Sequence, residues 1–272
     1  MEDTGFRFRD AAFRMALWLL AMLAVRFCLL LSFPRAAAAS AASEGTMDSD
    51  FTMEVISVSY PAQTQKRVFI YHTHTYEAYE MDPDNRYKQT EKWRTSDQNY
   101  NVVRVGEELA SYLRNAGIFV THDRTDYELP RLSTAYSRSL QGLQTAVADG
   151  YDLYIDLHRD SYSKGNGANV VSFDGRETAR LLFLIGQGTG SSLEDKPDWE
   201  ANQKAAEALS NALNSRADGL SRGVKLKSGR YNQQAAVPCI LIEVGNNLNT
   251  LPQALSAMEP LSGAICQFFD AP

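Results

Sequence analysis

Apolar residues fall along this chain in two periods. From Arg67 onward, short runs of consecutive apolar residues alternate with longer stretches where apolar residues recur every three or four positions. The runs are 68–71 (VFIY), 118–120 (IFV), 153–155 (LYI), 181–185 (LLFLI) and 239–242 (CILI). Each is too short for a helix and apolar throughout, which predicts strands buried on both faces. The periodic stretches carry Val102, Val105, Leu109 and Leu113, then Tyr136, Leu140, Leu143 and Val147, then Trp199, Ala206, Leu209 and Leu213. A last one carries Leu251, Leu255, Met258, Leu261, Ile265 and Phe268. These predict helices, with Gly117 and Gly150 ending the first two. Alternation of strand and helix predicts an α/β protein of three layers, a mostly parallel central sheet with helices on both faces.

The N-terminus has a different pattern. Residues 15–33, MALWLLAMLAVRFCLLLSF, carry one charge, Arg26, and follow Arg7, Arg9 and Arg14. The length suits a transmembrane helix, and the preceding arginines favour a cytoplasmic N-terminus. Arg26 costs about 2.5–3.5 kcal/mol at a helix centre, which the surrounding Leu, Val and Phe offset. The alternative is a secretory signal peptide cleaved within the small-residue stretch 36–42. Either reading exports the rest of the chain, so a membrane-anchored protein with an extracytoplasmic domain is expected. Residues 1–35 are then a cytoplasmic tail and anchor. Residues 36–65, rich in Ala, Ser and Thr, are a linker with one short MEVISVSY strand. Residues 66–272 form the catalytic domain.

Composition narrows the function. Of 272 residues, 44% are apolar and 22% charged, which is globular, and a net charge of −6 offers no field to hold nucleic acid. Cys28, Cys239 and Cys266 form no C-x-x-C pair, so neither a disulfide framework nor a cysteine-rich zinc site is readable. Only four histidines are present, His72, His74, His122 and His158. In open α/β sheets ligands sit beyond the carboxyl ends of strands. The first strand runs into YHTHTYE, the third into DLHRD and the CILI strand into EVGNN. His74, His158 and Glu243 therefore converge on one rim if those strands are parallel neighbours. Two neutral imidazoles and a carboxylate are what one catalytic Zn2+ requires, with Glu243 as general base. The third ligand is Glu77 or Asp97, the latter also suited to capping the next helix. His72, two residues from His74, is a ligand or a supporting group; His122 is a satisfied loop histidine. Arg159 and Asp160 are a candidate pair orienting His158. Arg230 is the residue that would pair with Glu243 in a purely structural role. Asn246, Asn247 and Asn249 shape a polar strand-to-helix turn, and 231–234 (YNQQ) is a candidate cleft wall.

The segments IYHTHTYEAY, TSDQNYNVVRVGEEL, DLHRDS, GRYNQQ and ILIEVGNNLNT, in this order, resemble the stage II sporulation protein P family over residues 67 to about 260. The resemblance implies the fold of the zinc-dependent N-acetylmuramoyl-L-alanine amidases. It implies cleavage of the bond between glycan and stem peptide in peptidoglycan, with endopeptidase activity on cross-links as a companion. It also implies a part in engulfment during endospore formation, beside a glycan-cleaving partner like stage II sporulation protein D. Within the amidase pattern the two histidines fall on His74 and His158 and the catalytic glutamate on Glu243. The pattern's glutamate ligand falls near Asp97, whereas the family's own H-T-H-T-S-E-S-Y element offers Glu77. Tyr76 stands where that element has serine, and the second histidine often found after the H-D-x-T segment is lacking.

Overall fold

The computed structural model describes residues 65–161, 169–190 and 194–271. The expected anchor, its signal-peptide alternative and most of the expected linker lie outside these residues. No described helix is long and apolar enough to cross a membrane.

The elements run β1 (Arg67–Tyr71), α1 (Val102–Asn115), β2 (Phe119–His122), a 3-10 turn (Leu132–Thr134), α2 (Ala135–Asp149) and β3 (Leu153–Asp160). They continue with β4 (Val170–Phe173), β5 (Arg176–Ala179), β6 (Leu181–Gly186), α3 (Trp199–Arg216), β7 (Ser221–Lys227), β8 (Cys239–Asn246), α4 (Leu251–Ser256) and α5 (Met258–Asp270). Six strands form one sheet in the order β2-β1-β3-β8-β6-β7. The pairs β2–β1, β1–β3, β3–β8 and β6–β7 are parallel, and β6–β8 is antiparallel.

Alternation along each strand divides the core into two layers. Val68, Ile70, Leu153, Ile155, Ile240 and Ile242 face Leu109 and Leu113 of α1, Leu209 and Leu213 of α3, and Leu261 and Ile265 of α5. Phe69, Tyr71, Tyr154 and Cys239 face Leu143 and Ala146 of α2. Helices therefore cover both faces.

Three features depart from the hydrophobic pattern. β6 runs against β8, which makes the sheet mixed. β7 and the β4–β5 hairpin join the expected strands. The final helix breaks at Ala257 into α4 and α5. Pro260 accounts for the break: it has no N–H to donate, and its ring would clash with the carbonyl of Ser256 four residues back in a continuous helix. The cap of α1 is also not Asp97. Asn101 holds that position, its side chain accepting from Val103 N at 3.0 Å.

Candidate active site

Three parallel neighbours, β1, β3 and β8, end on one rim of the sheet. Tyr71 at the end of β1 pairs with Asp156, and His158 pairs with Glu243 across β3–β8. Parallel partners project to the same face, so this register sets the imidazole of His158 beside the Glu243 carboxyl. A register shift between His158 and Asp160 then bends the end of β3.

After Tyr71 the chain leaves the strand, so the alternation that would put His72 and His74 on one side no longer applies. Thr73 N donates to Asp156 Oδ1 at 2.8 Å and Thr73 Oγ1 to Asp156 Oδ2 at 2.7 Å, which locks the turn to β3. His74 emerges with its ring edge-on to His158, centroids 5.4 Å apart at 87°, and edge-on to Tyr136 of α2, also at 5.4 Å. Its Nδ1 lies 3.7 Å from Oε1 of the buried Glu128, which in turn pairs with Arg94.

His72 has different neighbours. Its ring is fully buried, its Nδ1 2.8 Å from Leu157 O and its Nε2 2.9 Å from His122 Nε2; His122 Nδ1 reaches Glu107 at 3.0 Å. Both rings press on Gly106 of α1. His72 and His122 thus brace β1 and β2 against α1, each nitrogen already partnered.

Of the two carboxylates considered as third ligand, Glu77 is the one beside the histidines. Its Oε2 lies 3.4 Å from His158 Nδ1 and accepts from Arg159 N at 3.0 Å, while its carbonyl receives Val102 N at the start of α1. Asp97 is exposed and spends its Oδ1 on Asn99, accepting from the backbone N at 3.0 Å and the side chain at 2.9 Å.

Arg159 and Asp160 do not pair side chain to side chain. Arg159 turns back into the loop, Nε donating to Ala78 O at 2.9 Å and a terminal nitrogen to Trp93 O at 3.2 Å. Asp160 pairs with Arg222 at 2.8 Å. Arg230 donates to Asp195 O at 3.4 Å instead of pairing with Glu243. Asn246 Oδ1 accepts from Leu248 N, and Asn249 Oδ1 from Asn246 N, both at 2.8 Å, so these residues build the turn after β8.

The electrostatics follow from this crowding. Burial disfavours a charged His158, but Asp156 and Glu77 hold its proton to well above the usual imidazole range. Asp156 Oδ1 stands 2.8 Å from His158 Nε2, off the axis of a well-formed hydrogen bond. Burial also resists ionisation of Glu77, yet His158 and Arg159 keep its carboxyl well below the ordinary range. Glu243 goes the other way: burial pushes its carboxyl up to about 8, with Glu77 and Asp160 adding repulsion against the pull of His158 and Arg159.

Buried polar atoms without a hydrogen-bond partner are rare and call for an explanation. Here they include His74 Nδ1, His158 Nε2 and Glu243 Oε2. Among the described residues, no three His, Cys, Asp or Glu side chains converge as a ready-made metal cage. The donor set nevertheless suits a divalent cation: two imidazoles with unsatisfied nitrogens, the carboxylates of Asp156 and Glu128 nearest those nitrogens, and Glu77 at the other nitrogen of His158.

Asp156, Glu128 and Tyr136 are site residues that the strand-end reading missed. Asp156 had a usable signal, an acid inside an apolar strand and two residues before His158, hence on the same face. Glu128 sits in an irregular loop, where no period marks it. Tyr136 reads as one more core position of its helix.

The fold is similar to the α/β fold of solved N-acetylmuramoyl-L-alanine amidases. The CwlD amidase of Clostridioides difficile, solved with the GerS lipoprotein, superposes with a TM-score of 0.50 at 12% identity over 75% of this chain and 98% of that one. Amidase AmiC2 of Nostoc punctiforme gives 0.49 at 15% identity, over 76% and 98%. The profile of the stage II sporulation protein P family matches residues 36–266, and this chain belongs to that family. Stage II sporulation protein P of Bacillus subtilis (strain 168) is 31% identical over 222 residues, which is 72% of this chain and 51% of that protein. The chain thus spans about half the length of that relative.

Proposed function

We propose that this chain is a zinc-dependent peptidoglycan hydrolase that cleaves the N-acetylmuramoyl–L-alanine amide bond during engulfment in endospore formation. The observation that carries the reading is the cluster of His74, His158, Glu77 and Glu243 at the joint end of β1, β3 and β8, with unsatisfied buried atoms on three of the four. His74, His158 and Glu77 would hold one zinc ion. When bound, the ion supplies Lewis acidity and brings a water's pKa to about 7.

The protein's own part follows from its geometry. With its carboxyl ionised, Glu243 would take a proton from the attacking water at Oε2 and return it to the amide nitrogen as the water oxygen bonds to the amide carbon and the carbon–nitrogen bond breaks. Asp156 and Glu128 place negative charge beside the two imidazoles. Arg159 fixes Glu77 through its backbone N–H and ties the following loop to β3. The reading includes an N-terminal membrane anchor, an extracytoplasmic catalytic domain and a glycan-cleaving partner like stage II sporulation protein D.

The test is metal analysis of the full chain together with digestion of purified peptidoglycan and mass spectrometry of the fragments. One equivalent of zinc and free stem peptides are expected, both lost with His158→Ala. Cut cross-links without free stem peptides would make the enzyme an endopeptidase, and intact peptidoglycan a wall-binding scaffold. Either result overturns the amidase assignment.

A further inference from the structure

The GRYNQQ segment between β7 and β8 takes no part in the chemistry described above, yet its backbone is strained. Tyr231 and Asn232 are consecutive non-glycine residues in the left-handed region, with φ of 51° and 59°. Such conformations persist only where the surroundings impose them, and they concentrate at functional sites. Here the contacts run to the first turn of α2. Asn232 Nδ2 donates to Tyr136 O and to Ser139 Oγ, both at 2.9 Å. Ser139 Oγ in turn stands 2.8 Å from Thr73 Oγ1, the hydroxyl that bonds Asp156. Gln233 ties the segment to β6, Nε2 donating to Leu184 O at 2.9 Å.

What these contacts fix is Tyr136. Asn232 holds its backbone, and the Tyr231 ring meets its ring edge-on, with centroids 5.9 Å apart at 75°. Its other ring neighbour is His74, perpendicular to it at 5.4 Å. The hydroxyl of this ring is unspent. Tyr76 and Tyr79, in the loop after β1, donate theirs to Asp126 at 2.8 Å and to Val244 O at 3.2 Å. The Tyr136 hydroxyl has no hydrogen-bond partner among the described residues. Burial, and then the charges of Asp156, Glu77 and Glu243, keep its proton on to well above the ordinary phenol range. Those carboxyls are the ones that crowd His74 and His158, so the hydroxyl lies in the field of the reacting centre.

We infer that Tyr136 is a catalytic hydrogen-bond donor whose hydroxyl serves the oxygen of the amide being cleaved. The assignment rests on the hydrolase reading. As the water oxygen bonds to the amide carbon, the carbonyl π pair moves onto the amide oxygen, and the charge that develops there calls for a donor. The phenol donates a hydrogen bond to it and keeps its own proton. Glu243 alone carries the proton that passes from water to nitrogen as the carbon–nitrogen bond breaks. A donor fixed in advance costs no reorganisation at the transition state, and the strained segment behind Tyr136 supplies that fixity.

The test is Tyr136→Phe in the full chain, which removes the hydroxyl and keeps the ring. Steady-state hydrolysis of a soluble disaccharide–peptide muropeptide is measured together with zinc content and melting temperature. Titration calorimetry adds the affinity for the same muropeptide carrying a phosphinate in place of the scissile amide. Phenylalanine should lower kcat by about 10²–10³ with KM nearly unchanged, the usual loss for one oxyanion donor. It should weaken binding of the tetrahedral phosphinate by about the same factor. Zinc content and melting temperature should stay put, because the hydroxyl bonds to nothing in the described fold. Lost zinc or a lowered melting temperature would give the hydroxyl a structural role and overturn the assignment. So would kcat and phosphinate affinity equal to those of wild type, or a loss of this size in Tyr231→Phe with none in Tyr136→Phe. Absence of cleavage by the unaltered chain would overturn the hydrolase reading itself, an outcome distinct from cleavage that survives Tyr136→Phe.

Discussion

Glu243 carries a buried carboxyl oxygen that nothing in the fold satisfies, and its proton is the most consequential one in the molecule. The folded chain holds that proton up to about 8, whereas the ordinary value is 4.5. Between those limits the unfolded state binds fewer protons than the folded one, so the stability contributed by this residue falls as pH rises through the window. Removing the ionisable group should therefore help the metal-free chain at high pH and do little at low pH. In chelator, Glu243→Gln is expected to exceed wild type by roughly 1–4 kcal/mol at pH 8, a tenfold change in proton affinity being worth about 1.4 kcal/mol, with most of the gain gone at pH 5. Urea denaturation at the two pH values measures it, and a gain independent of pH would mean that Glu243 ionises normally in the fold. The same substitution should lower peptidoglycan cleavage by about 10²–10⁴, the usual contribution of a positioned base. On the proposed function, a buried carboxyl whose ionisation costs stability yet serves the reaction follows the usual trade between a site and its scaffold.

At the scale of elements, α1 and the first strands are locked by the His72–His122 contact, and the lock depends on Gly106 having no side chain. A Cβ there would stand 2.6 Å from His72 Nε2 and 2.7 Å from His122 Nε2. Gly106→Ala should cost about 1–3 kcal/mol by overpacking, despite alanine's better helix propensity. Calorimetry should show the melting temperature falling while zinc content is unchanged, since neither histidine belongs to the proposed ligand set. An unshifted melting temperature would show that the two rings can give way. Legibility from sequence also divides at this scale. Buried strands such as LLFLI and CILI declare themselves because both faces are apolar, and the polar residues that follow CILI mark the rim. β7 (SRGVKLK) does not, since half-buried and exposed positions fill most of it and leave no apolar run. The direction of β6 was equally hidden: apolar content marks a buried strand and says nothing of which way it runs. His74, His158 and Glu243 were readable because each breaks an apolar pattern, His74 just past β1 and the other two within β3 and β8, which run on beyond their apolar stretches. Choosing Glu77 over Asp97 required knowing which loop folds back over β3, and that depends on the tertiary contacts of Arg159.

For the whole molecule, the described domain begins beside Arg67, at the edge of the sheet opposite the rim where β1, β3 and β8 end. The proposed cation site draws its ligands from β3 and the loop after β1, with Glu243 of β8 beside them, so occupancy should be felt by the fold as a whole. A ligand that binds only the folded state stabilises it by RT ln(1 + [L]/Kd), about 2.7 kcal/mol at a hundredfold excess over Kd. In a domain of this size each kcal/mol moves the melting temperature by about 2–4 °C, so added zinc should raise it by roughly 5–10 °C over the chelated chain. The pattern across variants carries the information. His158→Ala and Glu77→Gln should abolish the shift, because each removes a proposed ligand. Asp97→Asn should keep it in full, because that carboxylate serves only the turn at Asn99. A shift lost in Asp97→Asn and kept in Glu77→Gln would reverse the ligand assignment and require the loop after β1 to close differently around the ion.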